Sequence, residues 1–541
     1  MPLPLNLARD SYPYPSRRMP VLAPRGVVAT SQPLAAQAGL AMLQAGGNAV
    51  DAAVATAVAL TVVEPTSNGI GADAFALVWD GDKLHGLNGS GRAPQRHTPA
   101  LFRQSGLDSI PTHGWLAVTV PGAPATWRDV HARFGRLPFE QLFEPAITYA
   151  ERGFPVSPVT SGAWQTSHRI FRELAADPAF APWNNTFAPR GNAPRPGDIW
   201  CSEGHARALR LIARSRASAF YEGELAEEIE RFAAQTGGYL TRDDLARHTS
   251  TWVDPVSTSY RGYEVWEIPP NGQGIAALIA LNLAEGFDIP RQARDSVETW
   301  HTLIECMKLA FADTHRYVAD PENADVPVRG LLDKRYAGGR RRLIGEKALD
   351  PAPGTPERGG TVYLCAADAG GMMVSFIQSN YVGFGSGIVV PGAGIAIQNR
   401  GRGFTLDESH PNALAPGKRP FHTIIPAFLT EGGRPVGPFG VMGGHMQPQG
   451  HVQMVVNQVD FGLNPQASLD APRWHWVAGR GVAIEPSTPA ELLDGLQARG
   501  HQIDTSQPPS FFGKGQIIRR LPDGGYVAGS EPRADGCAAG Y

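Results

Sequence analysis

Hydrophobic and polar positions alternate differently in the two ends of this chain. Near the front, Val27–Thr30 reads as a short strand. Residues Pro33 to Ala45 then carry apolar side chains at helical spacing and stop at Gly46-Gly47, a glycine C-terminal cap. Asn48 can cap a following helix, Ala49 to Val62, whose Ala and Val content predicts burial on most sides. Phe75–Trp79 and Lys83–Leu87 flank Asp80-Gly81-Asp82, which predicts a hairpin. From Pro121 to Lys347 the pattern is mostly helical, most clearly from Ser296 to Val318, where Leu303, Met307, Ala310 and Phe311 form one stripe. His301 in that helix reads as a structural residue.

After residue 360 the chain becomes strand-rich. Strands are predicted at Val362–Ala366, Met372–Ile377, Gly387–Val390, Gly394–Ile397 and Ile424–Leu429. Helices followed by strands predict an α+β protein with helices layered on sheet. No internal repeat is present.

The 541 residues are 42% hydrophobic and 18% charged with a net charge of −3, so the chain can build a large core and has no basic surface for nucleic acid. A small molecule is the expected partner. The four cysteines, Cys201, Cys306, Cys365 and Cys537, lie far apart and predict neither a disulfide framework nor a metal site. His445 and His451 have no carboxylate or cysteine at ligand spacing, so no metal and no cofactor is expected. The start lacks a basic segment followed by an apolar core, and the apolar run Ala52–Val63 falls short of the roughly 20 residues a membrane helix needs. The expectation is a soluble cytoplasmic protein without a membrane partner.

The candidate chemistry lies at Gly359-Gly360-Thr361, at the head of a strand. Asp368-Ala369-Gly370-Gly371 predicts a hairpin turn; a three-residue loop sets Thr361 opposite Ser379, and a two-residue loop sets it opposite Gln378. A threonine hydroxyl needs a base. Its own α-amine can serve if the Gly360–Thr361 bond is cut, because a free α-amino group titrates near pH 7.7–8.0. No G-x-S-x-G, HExxH or P-loop motif competes with this reading.

The run Thr361–Gly387 resembles the small-subunit start of the γ-glutamyltransferase family of N-terminal-nucleophile enzymes. Ala45–Ala52, Val63-Glu64-Pro65, Gly69-Ile70-Gly71, Gly417–Pro420, Gly443-Gly444, Asp470–Arg473 and Asp535–Tyr541 continue the likeness across nearly the whole chain. The resemblance implies a four-layer αββα sandwich and self-cleavage before Thr361. The products would be a large chain, 1–360, and a small chain, 361–541, held as one heterodimer that is open to further dimerisation. It further implies Thr361 as nucleophile with Ser379 bonded to it, and the amides of Gly443 and Gly444 as the oxyanion hole.

The pocket for a γ-glutamyl group departs from the family pattern. By position, Ser90 stands in place of the arginine that grips the α-carboxylate, with Arg92 two residues on, and His422-Thr423 replaces a hydroxyl pair. Tyr381, Arg400 and Gly403 replace the ligands of the α-amino group. A buried ammonium without its carboxylate costs several kcal/mol, and a nearby arginine repels it. The expected substrate is therefore an amide whose acyl group is acidic and lacks that amine, oxamate-like or glutaryl-like, met by Arg92, Tyr381, Arg400, His422 and Thr423. Hydrolysis is favoured over transfer. The alternatives are a true γ-glutamyl enzyme acting on glutathione and an uncleaved, non-catalytic binding protein.

Overall fold

A computed structural model describes residues 18–351 and 360–541. The sheets are built from fourteen strands, in chain order β1 (Val21–Ala23), β2 (Val27–Thr30), β3 (Asp73–Trp79), β4 (Leu84–Asn88), β5 (Thr251–Val253), β6 (Val256–Tyr260), β7 (Tyr263–Glu267), β8 (Gly360–Ala367), β9 (Met373–Tyr381), β10 (Ala427–Glu431), β11 (Arg434–Met442), β12 (Lys514–Arg520), β13 (Tyr526–Ser530) and β14 (Cys537–Gly540). They form two seven-stranded sheets. The first runs β14-β2-β8-β9-β3-β4-β5 and the second β1-β13-β12-β11-β10-β7-β6. All the pairings within them are antiparallel.

Strand alternation sorts the side chains into layers. On β8, Val362, Leu364 and Ala366 pack into a core with the helices α1 (Pro33–Gln44) and α2 (Ala49–Val63). Tyr363, Cys365 and Ala367 instead point into a second core shared with Phe428, Met442 and Ile518 of the opposite sheet. The outer face of the second sheet is covered by α3 (Gly274–Ala284), α4 (Val297–Tyr317) and α5 (Met446–Val459) in a third core. Three apolar cores between four layers make this an αββα sandwich, as expected.

Local signals were sound where they were strong. Asn48 caps α2 with a full capping box to Asp51, and Ser296 caps α4. The central region is mostly helical, as expected, and also carries β5, β6 and β7, of which β6–β7 form one edge of the second sheet. One reading needs correction. The predicted strands at 387–390 and 394–397 shrink to a separate two-stranded ribbon, Val389–Val390 with Ile395–Ala396, outside both sheets. All four cysteines are free thiols. No helix among the described residues is long and apolar enough to cross a membrane.

Candidate active site

Thr361 lies at the end of β8 on the face between the sheets and is fully buried. The Asp368 amide bonds the Met372 carbonyl, so the turn holds three residues, and Val362 pairs with Gln378. The register then shifts, because Gly360 pairs with Tyr381. One residue on β8 therefore faces two on β9, a bulge that sits on the candidate nucleophile. Within it the Thr361 hydroxyl donates to Ser379 Oγ at 3.1 Å, and the Tyr381 amide donates to the same oxygen at 2.8 Å. Tyr381 adopts φ +79°, a strained conformation for a non-glycine residue.

The second sheet brings its contribution from across the gap. β11 ends at Met442, and Gly443 (φ +128°) and Gly444 (φ +61°) turn the chain into α5. Neither amide donates a hydrogen bond among the described residues, and both stand beside the positive end of a helix. Positive φ at both positions explains why glycine occupies them. One turn later Gln447 accepts from the Ile425 amide at 3.0 Å and reaches Thr361 Oγ1 at 3.5 Å. Gln273 fixes the turn by donating to the carbonyls of Thr423 (2.6 Å) and Gly444 (2.9 Å). Sequence reading missed Gln447 and Gln273. The signal available for Gln447 was its position one helical turn after the glycine pair.

Arg400 dominates the electrostatics. Its guanidinium is 1% exposed, with Nη1 donating to Thr423 Oγ1 at 2.6 Å and the Tyr381 ring stacked 4.5 Å from its centre. Nε and Nη2 have no partner among the described residues. Burial pulls its pKa down to about 10, with Asp73 opposing the shift. Asp73, also missed, is held up at about 7 by burial, against the pull of Arg400 and two backbone amides. Its oxygens are occupied: Oδ1 accepts from Gly91 and Gly122, and Oδ2 meets His422 Nε2 at 3.1 Å.

Both ring nitrogens of His422 are engaged within the protein. The side chain is fully buried, and its Nδ1 accepts from the Ile424 amide while Nε2–H serves Asp73. Burial, aided by Arg400, holds its pKa well below the usual imidazole value, so the ring is neutral. Arg92 is held by other partners. It is engaged by Glu322 (2.8 Å) and the Gly417 carbonyl (3.1 Å), and none of its described contacts is with Thr361, Arg400 or Thr423.

His301, Glu305 and His501 are the one group of possible metal ligands found among the described residues. Lys308 already donates to the same Glu305 oxygen at 2.8 Å, and the His301 ring bonds His501 and the Gly345 carbonyl. A second cation beside that ammonium would be repelled, so the cluster reads as a buried polar tie. His451 similarly serves structure, bonding Glu267 at 2.6 Å.

The profile of the gamma-glutamyltranspeptidase family matches residues 35–541. The chain is 38% identical to the glutathione hydrolase-like YwrD proenzyme of Bacillus subtilis (strain 168), over 96% of this chain and 99% of that one. It is 34% identical to the oxamate amidohydrolase proenzyme of Klebsiella pneumoniae, over 95% and 98% respectively. Among solved structures, a cephalosporin acylase from Bacillus halodurans superposes with a TM-score of 0.94 at 56% identity, covering 98% of both chains.

Proposed function

The chain belongs to the gamma-glutamyltranspeptidase family, and from that premise we propose that it is an amidohydrolase that cleaves itself before Thr361 and uses the freed threonine on amides of an acidic acyl group. Residues 1–360 and 361–541 become the large and small chains of one heterodimer. In catalysis Thr361 Oγ attacks the amide carbon, and its proton passes to the threonine α-amine. The oxyanion meets the Gly443 and Gly444 amides, and the C–N bond then breaks as the α-amine hands the proton to the leaving amine. Water, deprotonated by the same amine, releases the acid and restores the hydroxyl. Ser379 and Gln447 hold the nucleophile in place.

The observation that carries the substrate reading is the unsatisfied Nε and Nη2 of a buried arginine beside Thr423 and Tyr381. A carboxylate or keto-acid oxygen supplies what they lack. Among the described residues, the carboxylate that most opposes the Arg400 shift, Asp73, is bonded on both oxygens within the protein, so an ammonium at this anchor meets a cation first. Relatives named for oxamate and cephalosporin chemistry support this reading over glutathione turnover.

Two measurements test it. A denaturing gel should show two bands of roughly two-thirds and one-third length, and Thr361→Ala should leave one band and no activity. Among γ-glutamyl-p-nitroanilide, glutaryl-p-nitroanilide and oxamate, one of the latter two should turn over fastest. Preferential cleavage of the γ-glutamyl compound would overturn the acyl assignment.

A further inference from the structure

Sheet order divides the surroundings of Thr361 into two flanks. In the second sheet β11, which ends at the Gly443 turn, lies between β10 and β12. Thr423 precedes β10, so the Arg400–Thr423 anchor approaches from that flank. Lys514, the first residue of β12, pairs with Met442 and stands on the other flank of the turn. The first sheet repeats the division. β8 lies between β9, which carries Ser379, and β2, which leads directly into Ser31. The Ser31 hydroxyl donates to Glu64 Oε2 at 2.5 Å, and Glu64 Oε1 lies 4.0 Å from Lys514 Nζ. Ser31, Glu64 and Lys514 thus bridge the sheets on the side of Thr361 away from Arg400.

This bridge is not fully satisfied. The Lys514 side chain is 10% exposed, and its ammonium makes no hydrogen bond to a described residue. Gln516 projects from the same face of β12 two residues on, with both amide atoms buried and unpartnered. Ser530, its partner on β13, has a buried hydroxyl in the same condition. Buried polar groups are rarely left unpaired, so a face of β12 that carries unpartnered Gln516 and a Lys514 ammonium with an ion pair at 4.0 Å but no hydrogen bond marks a site for a polar, negatively charged guest.

We propose that Lys514 recognises a carboxylate carried by the leaving amine of the substrate. The assignment rests on Thr361 as nucleophile: an acyl group anchored at Arg400 directs the scissile nitrogen to the opposite flank of the oxyanion turn, where Lys514 lies. The preferred substrate is then an amide with an anion at each end, an acidic acyl group joined to an amino-acid-like amine.

Glutaryl anilide and its 3-carboxylated analogue, glutaryl-3-aminobenzoate, share an acyl group and differ only in the leaving amine. The wild-type protein should favour the carboxylated amide in kcat/KM, and Lys514→Met should cut that preference about tenfold or more, the size expected for a hydrogen bond to a charged group. Lys514→Arg should retain most of it. The double variant Glu64→Gln with Lys514→Met removes both charges of the bridge, which guards against a fold defect from an unpaired buried Glu64. A preference that survives Lys514→Met, whether the two rates hold or fall in step, overturns the proposal and leaves the pair a structural bridge. Calorimetry with 3-aminobenzoate, against aniline as control, reads the subsite without any acyl chemistry. Binding lost in Lys514→Met supports the assignment even if no glutaryl amide is cleaved, an outcome that would count against the acyl reading alone. Equal binding to both proteins counts against Lys514.

Discussion

Replacing Arg400 with methionine separates recognition from stability. The substitution removes the guanidinium and keeps a flexible apolar body against the Tyr381 ring, which now lies 4.5 Å from the charge centre. Two donors are free to meet the acyl anion. Truncating one partner of a buried, hydrogen-bonded charge pair costs about 2–5 kcal/mol, or roughly thirtyfold to several thousandfold in kcat/KM at about 1.4 kcal/mol per decade. The assay compares glutaryl- and butyryl-p-nitroanilide, which match in the acyl chain apart from the terminal carboxylate. The variant should lose this factor on the glutaryl compound alone. Stability should move little at pH 6, because the free protein already carries the desolvation of Arg400 and Asp73 can take up a proton. Above pH 8 the variant should melt lower than the wild type, since an ionised Asp73 has then lost its strongest opposing charge. Equal losses on both amides would refute the reasoning, because they would assign Arg400 to architecture.

Asp73 is neutral below about pH 7 and ionised above it, so KM for an acidic acyl amide should rise as pH climbs through 7, and Asp73→Asn should flatten that rise. The same raised pKa favours the fold fully below the unfolded value of 3.8 and loses that contribution as pH rises toward 7; thermal unfolding between pH 4 and 8 measures the decline. Gly444→Ala should lower kcat by about 10²–10³, the usual cost of an impaired oxyanion donor, and an undiminished kcat excludes this turn as the oxyanion site. Lys308→Met strands the buried Glu305 carboxylate and should cost about 3–5 kcal/mol of stability in denaturant titrations; a loss under 1 kcal/mol would show that the pair is solvated.

What the sequence revealed follows the range of the interactions involved. The Thr361 hairpin was legible because turn length alone limits its register to two choices, and both set a polar residue of β9 against Thr361. Capping made Ala49–Val63 legible for the same local reason. Strands β5 to β7 were overlooked because they lie among helices and their pairing partners are far along the chain: β5 joins β4, and β7 joins β10. The partners of Arg92 and His422 were not legible because adjacency in sequence gives no direction. Arg92 turns to Glu322, and His422, next to Thr423, turns to Asp73 on the other sheet.

The same reasoning explains how one scaffold can serve different amides. Thr361, Ser379, Gly443 and Gly444 lie where strand ends of the two sheets converge, and hydrogen bonds from Gln447 and Gln273 fix them there. The proposed anion anchor depends on a short helical turn, Arg400–Gly403, and on the segment entering β10, where His422 is bridged to Gly272 rather than to a central strand. An exchange at position 400 or 423 can therefore alter the acyl group accepted without disturbing the nucleophile's register. Lys514 differs, since it is the first residue of β12 and paired to Met442 beside the oxyanion turn. Substitutions there should change leaving-group preference and also the placement of the turn, so selectivity for the amine should be harder to alter than selectivity for the acid.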